Sequence, residues 1–332
     1  MEEPLLIDLE RNVFLEGDDL IIVDRRKLPH EIFPVRCANH EEVARAIEDM
    51  AVQGAGDIAV TAGFGLYLEA RKLRHGNRKN IFERLTEAAE RLKATRPTGY
   101  HLATLVDRIM GKVREGEAEK PADEIILAYL KKVLERQRTV SKETGRHAAT
   151  LLARGDRILT HCFAGPALLY MLRFAREQDK EVKVICTETR PYLQGARLTA
   201  WSVSQLGVDT TLITDNMAAY AMSRAMVGKV FTAADRIALD GTVANKVGTL
   251  QLALSARHFG IPFYILAYGG LDRRTPTGAD IPIEMRDPRE VLTFCGIPIS
   301  GKDVKAFYPA FDLTPRELIT GIITAQGVEI WE

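Results

Sequence analysis

The feature that most constrains the fold of this chain is a change of texture at Gly155. Beyond it, short runs rich in β-branched and aromatic residues (DRILTHC, VKVICTE, TTLIT, KVFTA and PFYILA) alternate with helical stretches such as PALLYMLRFAREQ, LQGARLTAWSVSQL and NKVGTLQLALSARHF. Strands interleaved with helices pair in parallel, because a parallel neighbour is reached only through a crossover long enough to hold a helix. The second half therefore predicts an α/β domain on a parallel sheet. Ligands of such open sheets sit outside the carboxyl ends of the strands. The residues just after each run are Cys162, Glu188, Asp215, Asp235 and Tyr268, and all five can ionise.

The first half reads differently. LLIDL, VFLE and DLIIVD, within residues 4 to 36, are brief β-rich runs broken by polar or Gly-containing turns, which predicts a small antiparallel sheet. From His40 to about Arg154, EEVARAIEDMAV, IAVTAGFGLYLEARKL, FERLTEAAERLKA, LATLVDRIMGKV and ADEIILAYLKKVLERQRTV space their apolar residues three and four apart, as helices do. A chain of 332 residues exceeds the usual single domain. The expected division is a small-sheet and mostly helical domain over 1–140 and a parallel-sheet domain over 141–332.

Lys plus Arg and Asp plus Glu balance at 45 each, so no general field draws the protein to nucleic acid or to an anionic membrane, and any anion site is local. A small-molecule partner is expected. Cys37, Cys162, Cys186 and Cys295 are scattered without a CxxC pair or a Cys/His cluster. This suggests neither a disulfide framework nor a zinc site and fits a reducing cytoplasm. The start, MEEPLLIDLERN, lacks the basic and apolar regions of an export signal, and no run reaches the ~18 apolar residues of a membrane span.

Two nucleotide-binding look-alikes are set aside. Gly54-Ala55-Gly56-Asp57-Ile58-Ala59 matches a loose dinucleotide fingerprint, but a helical segment precedes it where the fingerprint needs a strand. Glycines opening a helix still expose N–H groups that can hold an anion, although close packing explains them equally well. Gly296-Ile-Pro-Ile-Ser-Gly301-Lys302-Asp303 has Walker A spacing but ends in Asp where a Ser or Thr belongs.

Cys162 follows the apolar run ILTH and precedes Phe163-Ala164-Gly165-Pro166, where Pro166 suits the first turn of a helix. A thiol there is a candidate for acid/base or nucleophilic work, against the alternative of a buried small residue. His161 points to the opposite face of a strand and reads as structural. Asp235, after KVFTA, lies in an apolar stretch that can raise a carboxyl pKa towards a general acid's range; an ion pair with Arg236 or a helix cap is the alternative. Asp240, beside Gly241, reads as a turn residue. Asn245 and Lys246 are placed at a helix start, where an amide and an ammonium can bind hydroxyls and phosphate, or Asn245 can simply cap the helix. Arg96 in TRPT reads as lying at a helix mouth, suited to an anion.

Together these motifs resemble one family: the methylthioribose-1-phosphate isomerases, relatives of the regulatory subunits of the eukaryotic initiation-factor exchange complex and of archaeal ribose-1,5-bisphosphate isomerase. The carrying stretches are ILTHCFAG, ETRPYLQGARLTAW, DTTLITDNMAA, AADRIALDGTVANKVGT, ADIPIEMRDPREV and YPAFDLTPRELITGIIT, with KLPHE and TRPT in support. The resemblance implies a small N-terminal domain joined to a Rossmann-like C-terminal domain, in a homodimer, without metal or organic cofactor. It places the catalytic pair on Cys162 and Asp235. It places substrate contacts on Arg96, Gln194, Asn245 and Lys246, and the phosphate-binding turn on Gly54 and Ala55.

Departures gather at the site. Where the family usually reads RGAPAIG this chain reads QGAGDIA, exchanging an arginine for Gln53 and adding a carboxylate at Asp57; where it usually reads HCNAG, Phe163 replaces the asparagine. The resemblance implies conversion of 5-methylthioribose 1-phosphate to the ribulose 1-phosphate, a step of methionine salvage. The 5-deoxy and 5-phospho sugars, or non-catalytic binding of a nucleotide or sugar phosphate, are the alternatives.

Overall fold

The computed structural model describes residues 3–96, 100–116, 120–267 and 269–331, apart from the side chain of Arg78. Tyr268, and Pro97 and Thr98 of the TRPT motif, lie outside the described residues. The protein is a mixed α/β chain in two compact units, Asp8–Thr139 and Met1–Ile7 with Val140–Glu332. They are called here the helical unit and the sheet unit.

The helical unit opens with a three-stranded antiparallel sheet, β1 (Val13–Glu16), β2 (Asp19–Val23) and β3 (Pro34–Cys37), in that order. VFLE and DLIIV form strands as expected, but LLIDL does not: it runs into a 3-10 turn at Leu9–Arg11, and PVRC supplies the third strand. Leu6, Ile7 and Leu9 are all buried, so this run lacks the in-and-out alternation that a half-buried ladder requires.

Helices α1 (His40–Glu48), α2 (Ala55–Lys72), α3 (Arg78–Ala94), α4 (Tyr100–Glu115) and α5 (Ala122–Thr150) follow. Asn39 and Asn77 accept the N–H of Glu42 and Asn80, satisfying an orphan donor at the starts of α1 and α3. Helix α2 is buried from Ile58 to Ala70 and forms the centre of the unit's core. At Gly63 a Cβ would meet Leu130 Cδ2 at 2.6 Å, so the glycine permits α5 to approach.

The sheet unit contains β4 (Arg157–Thr160), α6 (Gly165–Glu177), β5 (Lys183–Thr187), a π-helical turn (Gly195–Ala200), α7 (Trp201–Gln205), β6 (Asp209–Ile213), α8 (Ala218–Ser223), β7 (Lys229–Ala233), β8 (Arg236–Ile237), β9 (Val243–Lys246), α9 (Thr249–His258), β10 (Phe263–Leu266), β11 (Thr293–Phe294), β12 (Ile297–Pro298), β13 (Phe311–Thr314), β14 (Gly321–Thr324) and β15 (Gly327–Ile330). The main sheet has the order β15-β14-β10-β7-β4-β5-β6. All its pairings are parallel except that of β15. From β4 the chain builds outward through β5 and β6, then returns to the other side of β4 for β7, β10 and β14. The order therefore reverses between β4 and β7, a topological switch point where two connections leave in opposite directions.

A second sheet, β13-β9-β8, is antiparallel, and β11-β12 is a hairpin. The Walker look-alike falls on this hairpin, with Cys295 and Gly296 at its tip in the left-handed region, so its glycine starts a strand and not a helix. Among the described residues no helix is long and apolar enough to cross a membrane.

Candidate active site

Cys162 and Asp235 follow adjacent strands. β4 and β7 pair in parallel with Leu159 opposite Val230, so both side chains leave the same end of the sheet, at its switch point. Cys162 sits on a left-handed backbone, φ 58°, where a non-glycine residue costs roughly 1–2 kcal/mol. Its peptide is gripped from two sides: its N–H donates to Thr189 Oγ1 (2.9 Å) and its carbonyl accepts from Thr199 Oγ1 (2.5 Å). The thiol is half-buried. Burial pushes its pKa up, Lys246 and the Phe163 N–H pull it back, and the carboxylates of Asp215 and Asp235 add to the rise. Thiol, ammonium and both carboxylates thus share one electrostatic neighbourhood.

His161 is buried, with Nδ1 2.6 Å from Thr187 Oγ1 and Nε2 3.0 Å from Val247 O. Burial, the largest influence, lowers its pKa. The imidazole bridges β5 and the turn before α9. Asp235 is half-buried, and its N–H donates to Ala244 O across the second sheet. Asp240 accepts the Thr242 and Gly278 N–H groups, as a turn residue does.

Asn245 and Lys246 are not at a helix start. They end β9, paired with Asp312 and Phe311 of β13, and α9 begins at Thr249 behind Gly248. The two β-branched or small residues before them, Val243 and Ala244, are buried in the strand, and the left-handed Gly248 makes the break that the sequence pattern left unmarked. Both side chains are buried: Asn245 Nδ2 bonds Thr249 Oγ1 at 3.0 Å, and Lys246 Nζ lies 3.4 Å from Tyr308 OH and over the rings of Tyr308 and Phe311 (5.6 and 5.3 Å). These rings hold the ammonium by its attraction to their faces. Asp312, which pattern reading passed over because it is one carboxylate in a β-rich run, receives the N–H groups of Gly248 (2.6 Å) and Leu250 (3.2 Å) at the start of α9; burial pushes its pKa up to about 6.

Gln194 immediately precedes the π-helical turn. It is buried, and its Oε1 accepts no hydrogen bond from the described residues. Single π turns are frequent at functional sites. Here the turn is enforced: a Cβ on Gly195 would lie 1.8 Å from Thr187 O, so only glycine lets it pass β5.

In the helical unit, Gly54 (φ 98°) precedes α2, with Ala55 as its first residue. Asp57 lies in the first turn and forms an ion pair with the wholly buried Arg25 at 2.6 Å. The same guanidinium donates to Asn12 Oδ1 (2.8 Å) and to the Gln53 carbonyl. A Cβ on Gly54 would lie 3.9 Å from Arg25 Nη1. A cation therefore does stand at this turn although position 53 is glutamine; sequence reading missed it because Arg25 is distant along the chain. Arg96 follows Thr95, the C-cap of α3, where helix carbonyls favour a cation, and its Nη1 lies 2.9 Å from Met50 Sδ. Among the described residues no group of three or more His, Cys, Asp or Glu side chains is placed to hold a metal ion.

The profile of the Initiation factor 2 subunit family matches residues 51–329. Methylthioribose-1-phosphate isomerase 1 of Pseudothermotoga lettingae is 42% identical over 323 residues, covering 94% of this chain and 92% of that protein. The crystal structure of 5-methylthioribose 1-phosphate isomerase from Pyrococcus horikoshii superposes with a TM-score of 0.86 at 38% identity, over 96% of this chain and 92% of that one. The crystal structure of the translation initiation factor eIF-2B, subunit delta, from A. fulgidus matches with a TM-score of 0.84 at 37% identity, over 96% and 95%.

Proposed function

Because the chain belongs to the Initiation factor 2 subunit family, and is similar along nearly its whole length to members named as methylthioribose-1-phosphate isomerases, we propose that it converts 5-methylthioribose 1-phosphate into 5-methylthioribulose 1-phosphate. The protein is an aldose-ketose isomerase of a sugar phosphate. The observation that carries the catalytic reading is the emergence of a thiol and a carboxyl group from neighbouring parallel strands at a topological switch point. The Rossmann-like arrangement, the catalytic role of the sheet unit and the homodimer are parts of the same proposal; light scattering of the purified protein tests the last.

An aldose carrying phosphate on its anomeric oxygen has no free aldehyde, so the ring must open first. In the proposed route Asp235 gives a proton to the ring oxygen as its bond to C1 breaks. The Cys162 thiolate takes the C2 proton, and that electron pair forms the C1–C2 double bond. Asp235 then removes the proton of the 2-hydroxyl while the Cys162 thiol protonates C1, and both groups return to their starting states. Lys246 opposes the rise that burial gives the thiol pKa and, with Asn245 and Gln194, is proposed to bind the sugar phosphate. In the helical unit, Gly54, Ala55 and Arg96 are the proposed anion contacts.

A second reading, binding without turnover, is favoured by the likeness to the initiation-factor subunit. One assay separates the two: purified protein with ribose 1-phosphates bearing methylthio, hydrogen, hydroxyl or phosphate at C5, followed by ketose formation. Turnover fastest with the methylthio sugar is expected. A preference for another substituent changes the substrate, and binding of all four without ketose removes the isomerase. Solvent deuterium at C1 of the product is expected from the proton route; its complete absence would leave a hydride shift.

A further inference from the structure

Asp215 stands out in the sequence only as one of five strand-end residues and Thr189 not at all, yet a chain of hydrogen bonds links both to Cys162. Asp215, just past β6, uses both carboxylate oxygens on the loop after β5: Oδ1 accepts the Thr189 N–H (2.8 Å) and Oδ2 the Arg190 N–H (2.7 Å). That grip holds Thr189 on a left-handed backbone, φ 65°. The buried hydroxyl of Thr189 in turn accepts the Cys162 N–H, and Thr199 of the π-helical turn closes on the Cys162 carbonyl. Two strained residues are thus held by one chain of hydrogen bonds running across β6, β5 and β4.

We propose that Asp215 and Thr189, with Thr199 on the opposite side, are positioning residues: they hold the Cys162 peptide in the left-handed conformation that aims its thiol. The energetic reason is that a lone hydrogen bond would not reliably offset the cost of a left-handed cysteine, whereas two threonine hydroxyls backed by a carboxylate do. A β-branched threonine is suited to the task because its rotamer is restricted, which fixes the hydroxyl. The inference rests on the reading of Cys162 as the proton-handling thiol.

The test compares Thr189→Val, Thr189→Ser, Thr199→Val and Asp215→Ala in the full-length protein. Removing the hydroxyl in Thr189→Val is expected to lower kcat by about 10²-fold with KM changed less than about twofold, because a small misplacement of a reacting group has that effect. Thr189→Ser keeps the hydroxyl and should stay within about threefold of the parent. Asp215→Ala combined with Thr189→Val should be no worse than the more severe single change, since both act through one chain of contacts. The rate at which iodoacetamide alkylates Cys162, followed by peptide mass, reads the same geometry without substrate. It should shift in Thr189→Val and Thr199→Val and not in Thr189→Ser. Unchanged kcat and alkylation in both valine variants, an effect on KM alone, or losses that multiply in the double variant would overturn the inference. If Cys162→Ala still turns over, the catalytic assignment fails, and alkylation alone decides whether the loop positions the thiol.

Discussion

Two helix starts in this molecule use the same backbone device for opposite ends. Before α2, the left-handed residue is Gly54, which pays nothing for φ 98°; around it, side chains satisfy one another, Asp57 with Arg25 and Arg25 with Asn12. At α6 the first residue, Gly165 (φ 77°), is again a left-handed glycine, but in the turn leading to it Cys162 is left-handed too, a position that a glycine would fill with less strain. There Thr189 Oγ1 accepts the cysteine's N–H and Thr199 Oγ1 donates to its carbonyl, and its side chain is left for the proposed proton transfer. The difference teaches that strain is tolerated where a particular side chain is required, and avoided where only the backbone matters.

The sharpest way to break this comparison is to change the reactive groups. Cys162→Ser and Asp235→Asn should each lower kcat by at least about 10³-fold, at the level expected of a lost acid or base, with circular dichroism unchanged; near-parental turnover in either variant removes its role. Next in size is the α2 turn. Asp57→Asn leaves Arg25 buried without its carboxylate, and should destabilise the chain by about 3 kcal/mol in urea unfolding; an unchanged midpoint would show that Asn12 and the Gln53 carbonyl hold Arg25 alone.

A crossed pair of substitutions is more direct. Gly54→Ala should cost about 1–2 kcal/mol because φ 98° is closed to a side chain. Cys162→Gly should be as stable as the parent to within about 1 kcal/mol, yet inactive. Equal destabilisation of both would mean that the two turns are not alternatives in strain. The smallest effect concerns a third helix start, where Asp312 caps α9. Its carboxyl is raised from 3.8 to about 6 in the folded protein, so the folded state binds its proton more tightly than the unfolded chain does. That contribution to stability is complete below about pH 4 and is lost as the pH rises through about 6. Asp312→Asn should flatten this part of the stability profile, and an identical profile would place the titration elsewhere.

Much was legible from residue order. The switch from three-and-four spacing to alternating β-branched runs located the five helices of the first half and the parallel strands of the second apart from β14, because periodicity records which face of an element is buried. The strand-end position of Cys162 and Asp235 followed from the same pattern. LLIDL misled because apolar composition resembles a strand even when burial does not alternate along it, and Asn245 misled because a strand can run directly into a glycine-broken helix start.

What the sequence alone determined, then, is the type and order of the elements and the chemical identity of the groups at their ends. Strand order was decided only in three dimensions: that β7 returns to pair with β4, bringing Asp235 to the same end of the sheet as Cys162, depends on long-range packing that leaves no local trace. The same holds for Arg25 at the Gly54 turn and for the Asp215–Thr189–Cys162 chain. Hydrogen bonds and ion pairs between residues far apart in the chain are fixed by where the folded backbone places them, and period and propensity carry no record of that.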